Sequence, residues 1–202
     1  MGYFAAILLG YLLGSSNMAY YIAKVKKADL RSAGSGNLGA SNATVLLGWK
    51  AGILTALHDI GKSTLAVLLA SWMFPELEHI GAVAGVASVL GHIFPFYLKF
   101  KGGKGFASYF GMTLALNWKL ALILAVAVIV VTFVTDYIVC GTVTTIVTVP
   151  VYMFFTSGWL LAAILCIATA VIFYKHRENF PRMLNGTELG LRSAIRGDNK
   201  IQ

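Results

Sequence analysis

The chain has 202 residues, of which 58% are hydrophobic and only 12% are charged, and its formal net charge is +8. Soluble domains carry roughly 25% charged residues, so this composition excludes an ordinary soluble protein and predicts an integral membrane protein. The length suits one compact bundle. We predict a single membrane-embedded domain over residues 1–188, followed by a polar cytoplasmic tail over residues 189–202 that we expect to be loose. Cys140 and Cys166 lie in apolar segments without a CxxC spacing, which predicts no disulfide framework.

Seven apolar segments follow one another along the chain. The first has no basic residue before it and no small-residue cleavage site after it, so we expect a retained helix and not a signal peptide. A full span needs about 20 apolar residues, so the fourth segment is too short and the fifth and sixth are marginal. The pattern predicts an all-α polytopic bundle of about seven transmembrane helices, five at the fewest, some of them short or broken. The segments cover residues 3–23, 51–73, 80–98, 105–117, 119–135, 138–155 and 158–174.

The basic residues are distributed unevenly between the two sides of this predicted bundle. With seven spans, every Lys and Arg except Lys62 and Lys119 falls on one side, whereas Glu76 and Glu78 fall on the other. Loops rich in Lys and Arg stay in the cytoplasm. We therefore predict a multi-pass plasma-membrane protein with its N-terminus outside and its C-terminus and polar loops in the cytoplasm.

The first of three polar blocks spans residues 34–42 and reads Gly-Ser-Gly-Asn-Leu-Gly-Ala-Ser-Asn. Residues 34–39 match G-x-G-x-x-G, but a Lys-rich loop precedes them and no βαβ unit surrounds them, which argues against a Rossmann site. Glycines still let backbone N–H groups approach a phosphate, and a following helix adds a favourable dipole. A tight interhelical turn with Asn or Ser caps is an equal alternative.

The second block begins at Gly91-His92 and ends in Lys-Gly-Gly-Lys-Gly at residues 101–105, directly before the fourth apolar segment. Two lysines around two glycines at the start of a helix form an anion-binding arrangement, so we predict a phosphate site here. The alternative is a basic turn that faces lipid headgroups. His92 lies in an apolar segment, where a histidine is more often a hydrogen-bonded structural residue than a catalyst.

The third block, residues 176–188, begins where the last apolar segment ends. We predict a polar cluster of His176, Asn179 and Glu188. We expect the planar guanidinium group of Arg182 to bind phosphate through two hydrogen bonds. The alternative is a charged flank that stops translocation.

Two ionisable residues face one another inside the second apolar segment. Asp59 and Lys62 are three residues apart on one helical face, and intramembrane charges are functional candidates, although a structural ion pair is nearly as good an interpretation. The sequence shows no His/Cys/Glu spacing for a metal and no G-x-S-x-G elbow. We therefore expect no metal, no cofactor and no protein nucleophile, which favours a pre-activated substrate.

Together, these blocks resemble one family, the bacterial membrane glycerol-3-phosphate acyltransferases that use acyl phosphate as the donor. The resemblance covers about residues 2–188 and depends on the order and spacing of all the blocks. The matching residues are Gly14-Ser15, residues 34–42, Asp59 and Lys62, Gly91-His92 and Pro95, residues 100–105, His176-Arg177, Asn179, Arg182, Gly186 and Glu188.

The resemblance implies a seven-helix membrane enzyme whose polar loops lie at the cytoplasmic face. It implies transfer of a fatty acyl group from acyl phosphate to the 1-hydroxyl of glycerol 3-phosphate, giving lysophosphatidic acid and phosphate, the first step of phospholipid synthesis. Neither acyl-CoA nor a metal is expected to take part. The expected partners are the two substrates, membrane lipid and a soluble enzyme that makes acyl phosphate, with no nucleic acid.

Site roles also follow from the resemblance, with His176 as the candidate base and a substrate phosphate as the alternative proton acceptor. Asp59, Lys62 and His92 are candidates for a structural or a functional role. The catalytic candidates are His176, Asn179, Lys104 and Asn42. The candidates for binding substrate or phosphate are Ser35, Gly36, Asn37, Gly39, Lys101, Gly102, Gly103, Thr142, Arg182 and Glu188.

The chain departs from the family pattern at positions that matter for phosphate. Val45 stands where the family usually has Arg, and residues 135–142 carry Asp136, Val139 and Thr142 where the family usually has Arg, Ser and Ser. A lost charge-assisted hydrogen bond costs roughly 1.5–3 kcal/mol. One alternative is therefore a divergent paralogue that acylates another small alcohol or polyol phosphate. An alternative of another class is a membrane transporter or binder of small anions or lipids, motivated by the intramembrane ionisable residues.

Overall fold

A computed structural model describes residues 1–196, and it divides into two compact units, Met1–Leu116 and the chain from Asn117 onward. Every regular element of these residues is helical. In chain order they are α1 (Gly2–Ser15), α2 (Met18–Val25), α3 (Ala40–Leu47), α4 (Trp49–Met73), α5 (Ile80–Ile93), a 3-10 turn (Phe96–Leu98), α6 (Phe106–Leu116), α7 (Trp118–Thr135), α8 (Ile138–Ser157), α9 (Trp159–Lys175), α10 (Asn179–Leu184) and α11 (Leu191–Arg196).

Five helical stretches within residues 1–196 are long and apolar enough to cross a membrane. They are Gly2–Val25, Trp49–Met73, Ile80–Leu98, Trp118–Thr135 and Ile138–Ser157. Two shorter apolar helices, Phe106–Leu116 and Trp159–Lys175, coincide with the predicted fourth and seventh segments. The all-α membrane bundle is thereby confirmed, whereas seven spans, and one domain over residues 1–188, stay predictions.

The first predicted span is interrupted between α1 and α2. Asn17 is buried at this break, and its side-chain oxygen accepts a hydrogen bond from the Tyr20 N–H at 2.9 Å. An Asn in this position satisfies one of the first N–H groups of the new helix. The same side chain donates to the Leu38 carbonyl at 3.0 Å, so the break is tied to the loop that leads into α3.

In the first unit, α1 packs closely against α5 because glycines face it. A Cβ at Gly10 would overlap the Ala84 carbonyl, and a Cβ at Gly14 would overlap that of Ser88. Small residues four apart let membrane helices approach at backbone distance. α4 packs against α5 and α6, so α4 and α5 together carry the buried polar residues described below.

In the second unit, α8 packs against both α7 and α9. α7 is apolar around its whole circumference and leaves several large side chains exposed: Leu122, Ile123, Val126, Ile129, Val130, Phe133 and Val134. A helix of this kind is covered by lipid rather than by water. α8 contains Pro150, as expected for a membrane helix that tolerates a local break.

The expectation of a loose tail is wrong for residues 191–196, which form α11. The N–H of Leu191 donates to the Asp136 carbonyl at 2.7 Å, and the N–H of Arg192 donates to the Asp136 carboxylate at 2.8 Å. Both bonds satisfy N–H groups at the start of the helix. Residues 197–202 of the predicted tail lie outside the described residues.

Candidate functional site

The first polar block is folded around the buried side chain of Asn42. Its oxygen accepts the Ser35 N–H at 3.0 Å, and its amide donates to the carbonyls of Leu30 at 2.9 Å and Asn37 at 3.0 Å. With these bonds the side chain of Asn42 holds the loop in place. The geometry therefore favours a positioning role for Asn42 over the catalytic role predicted for it.

The same loop ends at the N-terminus of α3. Gly34 and Gly36 have positive φ angles of 60° and 65°, a backbone region that favours glycine. Gly39 is the residue before the first turn of α3, whose leading N–H groups have no partner within the helix and carry positive partial charge. Ser35 is exposed and Asn37 is half-buried beside them. This arrangement suits an anion.

The second polar block folds back onto the end of α5. The N–H of Gly102 donates to the Ile93 carbonyl at 3.0 Å, and the N–H of Gly103 donates to the His92 carbonyl at 3.1 Å. These bonds satisfy carbonyl groups at the end of α5 that have no hydrogen-bond partner within the helix. The two glycines therefore shape the loop in this conformation, and this geometry favours a structural role for their N–H groups over the phosphate-binding role predicted for Gly102 and Gly103.

The candidates for anion binding in this block lie at the start of α6. Lys104 is half-buried two residues before α6 begins at Phe106, and the first N–H groups of a helix attract negative charge. Lys101 is exposed on the same loop. The structure thus favours Lys104 and the α6 N-terminus as the phosphate-binding groups of the second block.

Arg31, which the sequence did not single out, connects the first two blocks. Its Nη2 donates to the carbonyls of Leu98 at 3.0 Å and Lys101 at 3.1 Å. Beneath it, Leu98 packs in one apolar cluster with Leu30 and Leu38. The two glycine-rich loops of the first unit are therefore adjacent.

A carboxylate fixes the backbone at this bridge. The backbone N–H of Arg31 donates to the Asp29 carboxylate at 2.9 Å and holds the pKa of that carboxyl below its usual value. Leu30 and Leu38 are buried in this segment, and their burial cannot be read from one sequence.

Asp59, Lys62 and His92 form one buried cluster between α4 and α5. Lys62 Nζ lies 2.8 Å from the Asp59 carboxylate and 2.9 Å from His92 Nδ1. Their residues are 1%, 7% and 2% exposed, in the order Asp59, Lys62 and His92. The predicted contact of Asp59 with Lys62 is thus confirmed, and His92 is a third member that spacing alone did not reveal.

In the second unit, the structure brings Asn179, Arg182 and Glu188 together. The Asn179 amide donates to Glu188 Oε1 at 2.5 Å, and Arg182 Nε donates to Glu188 Oε2 at 3.0 Å. Because both carboxylate oxygens hold side chains, Glu188 is suited to positioning its neighbours. A carboxylate would repel phosphate, so the geometry favours an indirect role for Glu188 over the direct binding role predicted for it.

His176 lies buried at the C-terminus of α9. Its Nδ1 is 2.8 Å from the Ile172 carbonyl, which only accepts hydrogen bonds, so Nδ1 carries the proton. In the neutral ring Nε2 then has the lone pair. Thr142, also buried, donates its hydroxyl to the Ile138 carbonyl at 3.1 Å, which leaves its oxygen able to accept.

Two of the departures from the family pattern, Asp136 and Val45, differ in their surroundings. Asp136 accepts the N–H of Arg192 at 2.8 Å, and the Arg192 side chain lies 4.0 Å from the same carboxylate. Asp136 therefore has a structural partner that the sequence did not predict. Val45 is half-buried in α3 and brings no charge to the first block.

These features define an all-α integral membrane protein whose glycine-rich loops end at helix N-termini. The sequence model of the family described as glycerol-3-phosphate acyltransferase matches residues 4–186. A glycerol-3-phosphate acyltransferase of Mesorhizobium japonicum is 39% identical over 190 residues, covering 93% of this chain and 95% of that protein. One of Lactiplantibacillus plantarum is 35% identical over 203 residues, covering 96% and 97%.

Two solved structures share the fold. Both are crystal structures of PlsY, an integral membrane glycerol 3-phosphate acyltransferase, and both are 32% identical to this chain. The glycerol 3-phosphate form matches with a TM-score of 0.90 over 97% of this chain and 98% of that one. The lysophosphatidic acid form matches with a TM-score of 0.84 over 94% and 95%. The chain belongs to the glycerol-3-phosphate acyltransferase family.

Proposed function

We propose that this protein transfers a fatty acyl group from acyl phosphate to the 1-hydroxyl of glycerol 3-phosphate, giving lysophosphatidic acid and inorganic phosphate. The observation that carries the proposal is the pair of adjacent glycine-rich loops, each leading into a helix N-terminus and bridged by Arg31. Both substrates bear phosphate, and two anion-binding helix ends match them. Relatives named for glycerol 3-phosphate, and structures in glycerol 3-phosphate and lysophosphatidic acid forms, support the acceptor and the product.

The donor supplies most of the chemical driving force. Acyl phosphate is a mixed anhydride, so the glycerol oxygen attacks the acyl carbon, the bond from that carbon to the phosphate oxygen breaks, and phosphate leaves with the electron pair. Such a reaction needs orientation and charge stabilisation more than a covalent intermediate. Lys104 and the α6 N-terminus are our candidates for stabilising the departing phosphate, with Ser35 and the α3 N-terminus for the second phosphate group.

The hydroxyl proton needs an acceptor, and His176 is our candidate. The Nδ1 contact to the Ile172 carbonyl at 2.8 Å fixes the tautomer that leaves Nε2 basic. The partial negative charge at the end of α9 stabilises the imidazolium that forms. Asn179, oriented by Glu188, is our candidate for holding the hydroxyl or the acyl carbonyl. A substrate phosphate is the alternative base.

A different small alcohol or polyol phosphate remains the second candidate acceptor, favoured by Val45. A valine at this position provides no cation for the acceptor phosphate. The Asp136 substitution favours it less, because Asp136 is engaged with α11. An acceptor series compared at equal donor concentration separates the two, and equal or faster turnover of a neutral polyol would overturn the choice of glycerol 3-phosphate.

The proposed topology places the N-terminus outside and the loops in the cytoplasm, where a soluble enzyme would deliver acyl phosphate. It is supported by the uneven distribution of basic residues. Labelling single cysteines introduced at Glu78 and Lys50 with an impermeant thiol reagent in intact cells tests it, in a Cys140→Ala, Cys166→Ala background. We expect labelling at position 78 and none at position 50, and the reverse pattern would overturn the orientation.

The donor is tested by offering the purified protein palmitoyl phosphate or palmitoyl-CoA with glycerol 3-phosphate. We expect lysophosphatidic acid only from palmitoyl phosphate. Product from palmitoyl-CoA at a similar rate would contradict the proposed donor while leaving the acyltransferase activity intact.

A further inference from the structure

Three groups with acceptor atoms surround the ammonium group of Lys62, and the contact with Asp59 is an ion pair. Its Nζ lies 2.6 Å from the Ser16 carbonyl, 2.8 Å from the Asp59 carboxylate and 2.9 Å from His92 Nδ1. The same His92 Nδ1 lies 3.3 Å from the Asp59 carboxylate, so one edge of the His92 ring faces both Lys62 and Asp59.

The Nε2 side of the His92 ring is the side that contacts the glycine-rich loop. A Cβ at Gly103 would overlap His92 Nε2, and a Cβ at Gly102 would overlap the His92 carbonyl. The N–H of Gly103 also donates to that carbonyl. The loop therefore rests on both the ring and the backbone of His92, while Lys62 holds the opposite edge of the ring.

We propose that Asp59 and Lys62 are positioning residues of the acyltransferase reaction, acting through His92 to fix the loop of residues 101–105 in its phosphate-binding conformation. The inference rests on the proposed function and extends it to groups that touch no substrate. Their effect passes from Lys62 to the His92 ring, and from the ring to Gly103. The next residue is Lys104, which precedes the α6 N-terminus.

The chemical nature of the cluster favours this role over a purely stabilising one. Buried ion pairs are often replaced by apolar residues with little loss of stability, so folding alone does not require charge at these positions. Satisfying the Ser16 carbonyl at the break between α1 and α2 requires one donor. The remaining two contacts of Lys62, to Asp59 and His92, serve the orientation of the ring.

The test compares two double variants that alter polar pairs in neighbouring positions of α4 and α5. Asp59→Asn with Lys62→Met removes both charges together, so no uncompensated ion is left buried. The control is Ser63→Ala with Ser88→Ala, which removes a buried hydroxyl pair 2.8 Å apart. Both variants are purified as folded protein, and kcat and KM are measured for palmitoyl phosphate and for glycerol 3-phosphate.

We expect the Asp59/Lys62 variant to raise KM for at least one phosphate-bearing substrate by about tenfold to hundredfold, because a misplacement of about 1 Å has effects of this size. The control variant should keep both KM values within about threefold of wild type. Gly103→Ala is then added to each background. It should raise KM by a smaller further factor in the Asp59/Lys62 variant than in the control, since the effects of substitutions at coupled residues are not additive. Unchanged KM values together with fewer active molecules would overturn the proposal and assign the cluster to folding.

Amide hydrogen exchange tests this inference by a measurement that does not depend on the proposed enzymatic activity. If the wild-type protein forms no lysophosphatidic acid, the proposed function fails, and amide exchange in peptides covering residues 99–105 decides the inference about the loop. Faster exchange there in the Asp59/Lys62 variant than in the Ser63/Ser88 control supports the positioning of the loop. Equal exchange in the two variants overturns it.

Discussion

Arg192 and Asp136 are joined through the first turn of α11, because the N–H of Arg192 donates to the Asp136 carboxylate at 2.8 Å. A carboxylate at this place satisfies a leading N–H group and interacts favourably with the positive end of the helix. The acidic residue that breaks the family pattern thus has a local structural function in the second unit.

Replacing Asp136 tests this assignment. Asp136→Ala should destabilise the attachment of α11 by about 1 kcal/mol, the usual cost of losing a cap. Amide exchange at residues 191–196 should become faster, whereas Asp136→Asn, which keeps an acceptor oxygen, should lie between alanine and wild type. Identical exchange in all three proteins would show that Asp136 does not hold the helix.

Arg31 is expected to keep the two glycine-rich loops together. Arg31→Ala removes the bonds to the carbonyls of Leu98 and Lys101, and each bond to a charged donor contributes roughly 1.5–3 kcal/mol. We expect KM for a phosphate-bearing substrate to rise at least about tenfold.

A control for Arg31 is available in the same loop. Lys26→Ala also removes a bond from a basic side chain to a carbonyl, that of Leu47 at 2.9 Å, but it does not join the two loops. It should leave KM close to the wild-type value. Equal effects of the two substitutions would assign the loss to general loosening of residues 24–50.

Glu188 is expected to act through Asn179 and Arg182. Glu188→Ala removes the acceptors of both side chains and should lower kcat by about tenfold to hundredfold, the range expected when an orienting partner is lost. Glu188→Gln retains an acceptor for the Asn179 amide and should recover part of the rate. If glutamine is as damaging as alanine, the charge itself is needed and the positioning account is incomplete.

The close approach of α1 to α5 makes a prediction about stability alone. Gly14→Leu should destabilise the first unit by at least about 1–3 kcal/mol, because overpacking a tight contact has this cost. In the described part of the chain, nothing lies within 4 Å of a Cβ built at Gly61. Gly61→Ala in α4 should therefore be neutral or stabilising by up to about 1 kcal/mol. Thermal unfolding in detergent compares the two, and similar midpoints would contradict the tight contact.

The helices could be predicted from the sequence because hydropathy marks them directly. The first predicted segment is divided into α1 and α2, and the other six correspond to α4, α5 with the 3-10 turn, α6, α7, α8 and α9. That division could not be predicted, since it depends on Lys62 and Asn17 contacting residues far along the chain. The helix at residues 191–196 was missed for the same reason, because its first N–H groups bond to Asp136.

The site was predicted as a set of blocks, and less well as a set of roles. The blocks at residues 34–42 and 101–105 do adjoin in the structure. The hydrogen bonds of Asn42 and Glu188 favour positioning roles that the sequence did not predict, because their partners are fixed by the folded loops. Residue type reveals that a side chain can hydrogen-bond, but the partner depends on tertiary structure.

Replacing Lys104 is a sharp test of the candidate phosphate site. Lys104→Ala should reduce kcat/KM by about tenfold to hundredfold, because it removes a charge-assisted hydrogen bond to phosphate worth roughly 1.5–3 kcal/mol. Lys50→Ala is the matched control, since Lys50 is an exposed lysine at the start of α4. It should retain the wild-type value, and a similar loss in both variants would point to surface charge rather than to the site.

The central claim is tested most directly by supplying the purified protein with palmitoyl phosphate and glycerol 3-phosphate and detecting lysophosphatidic acid by mass spectrometry. We predict that product and inorganic phosphate appear in equal amounts, only when both substrates are present, and at least about tenfold more slowly with Lys104→Ala. Folded wild-type protein that forms no lysophosphatidic acid would contradict the proposed reaction. Product formed at the wild-type rate by Lys104→Ala would contradict the proposed site.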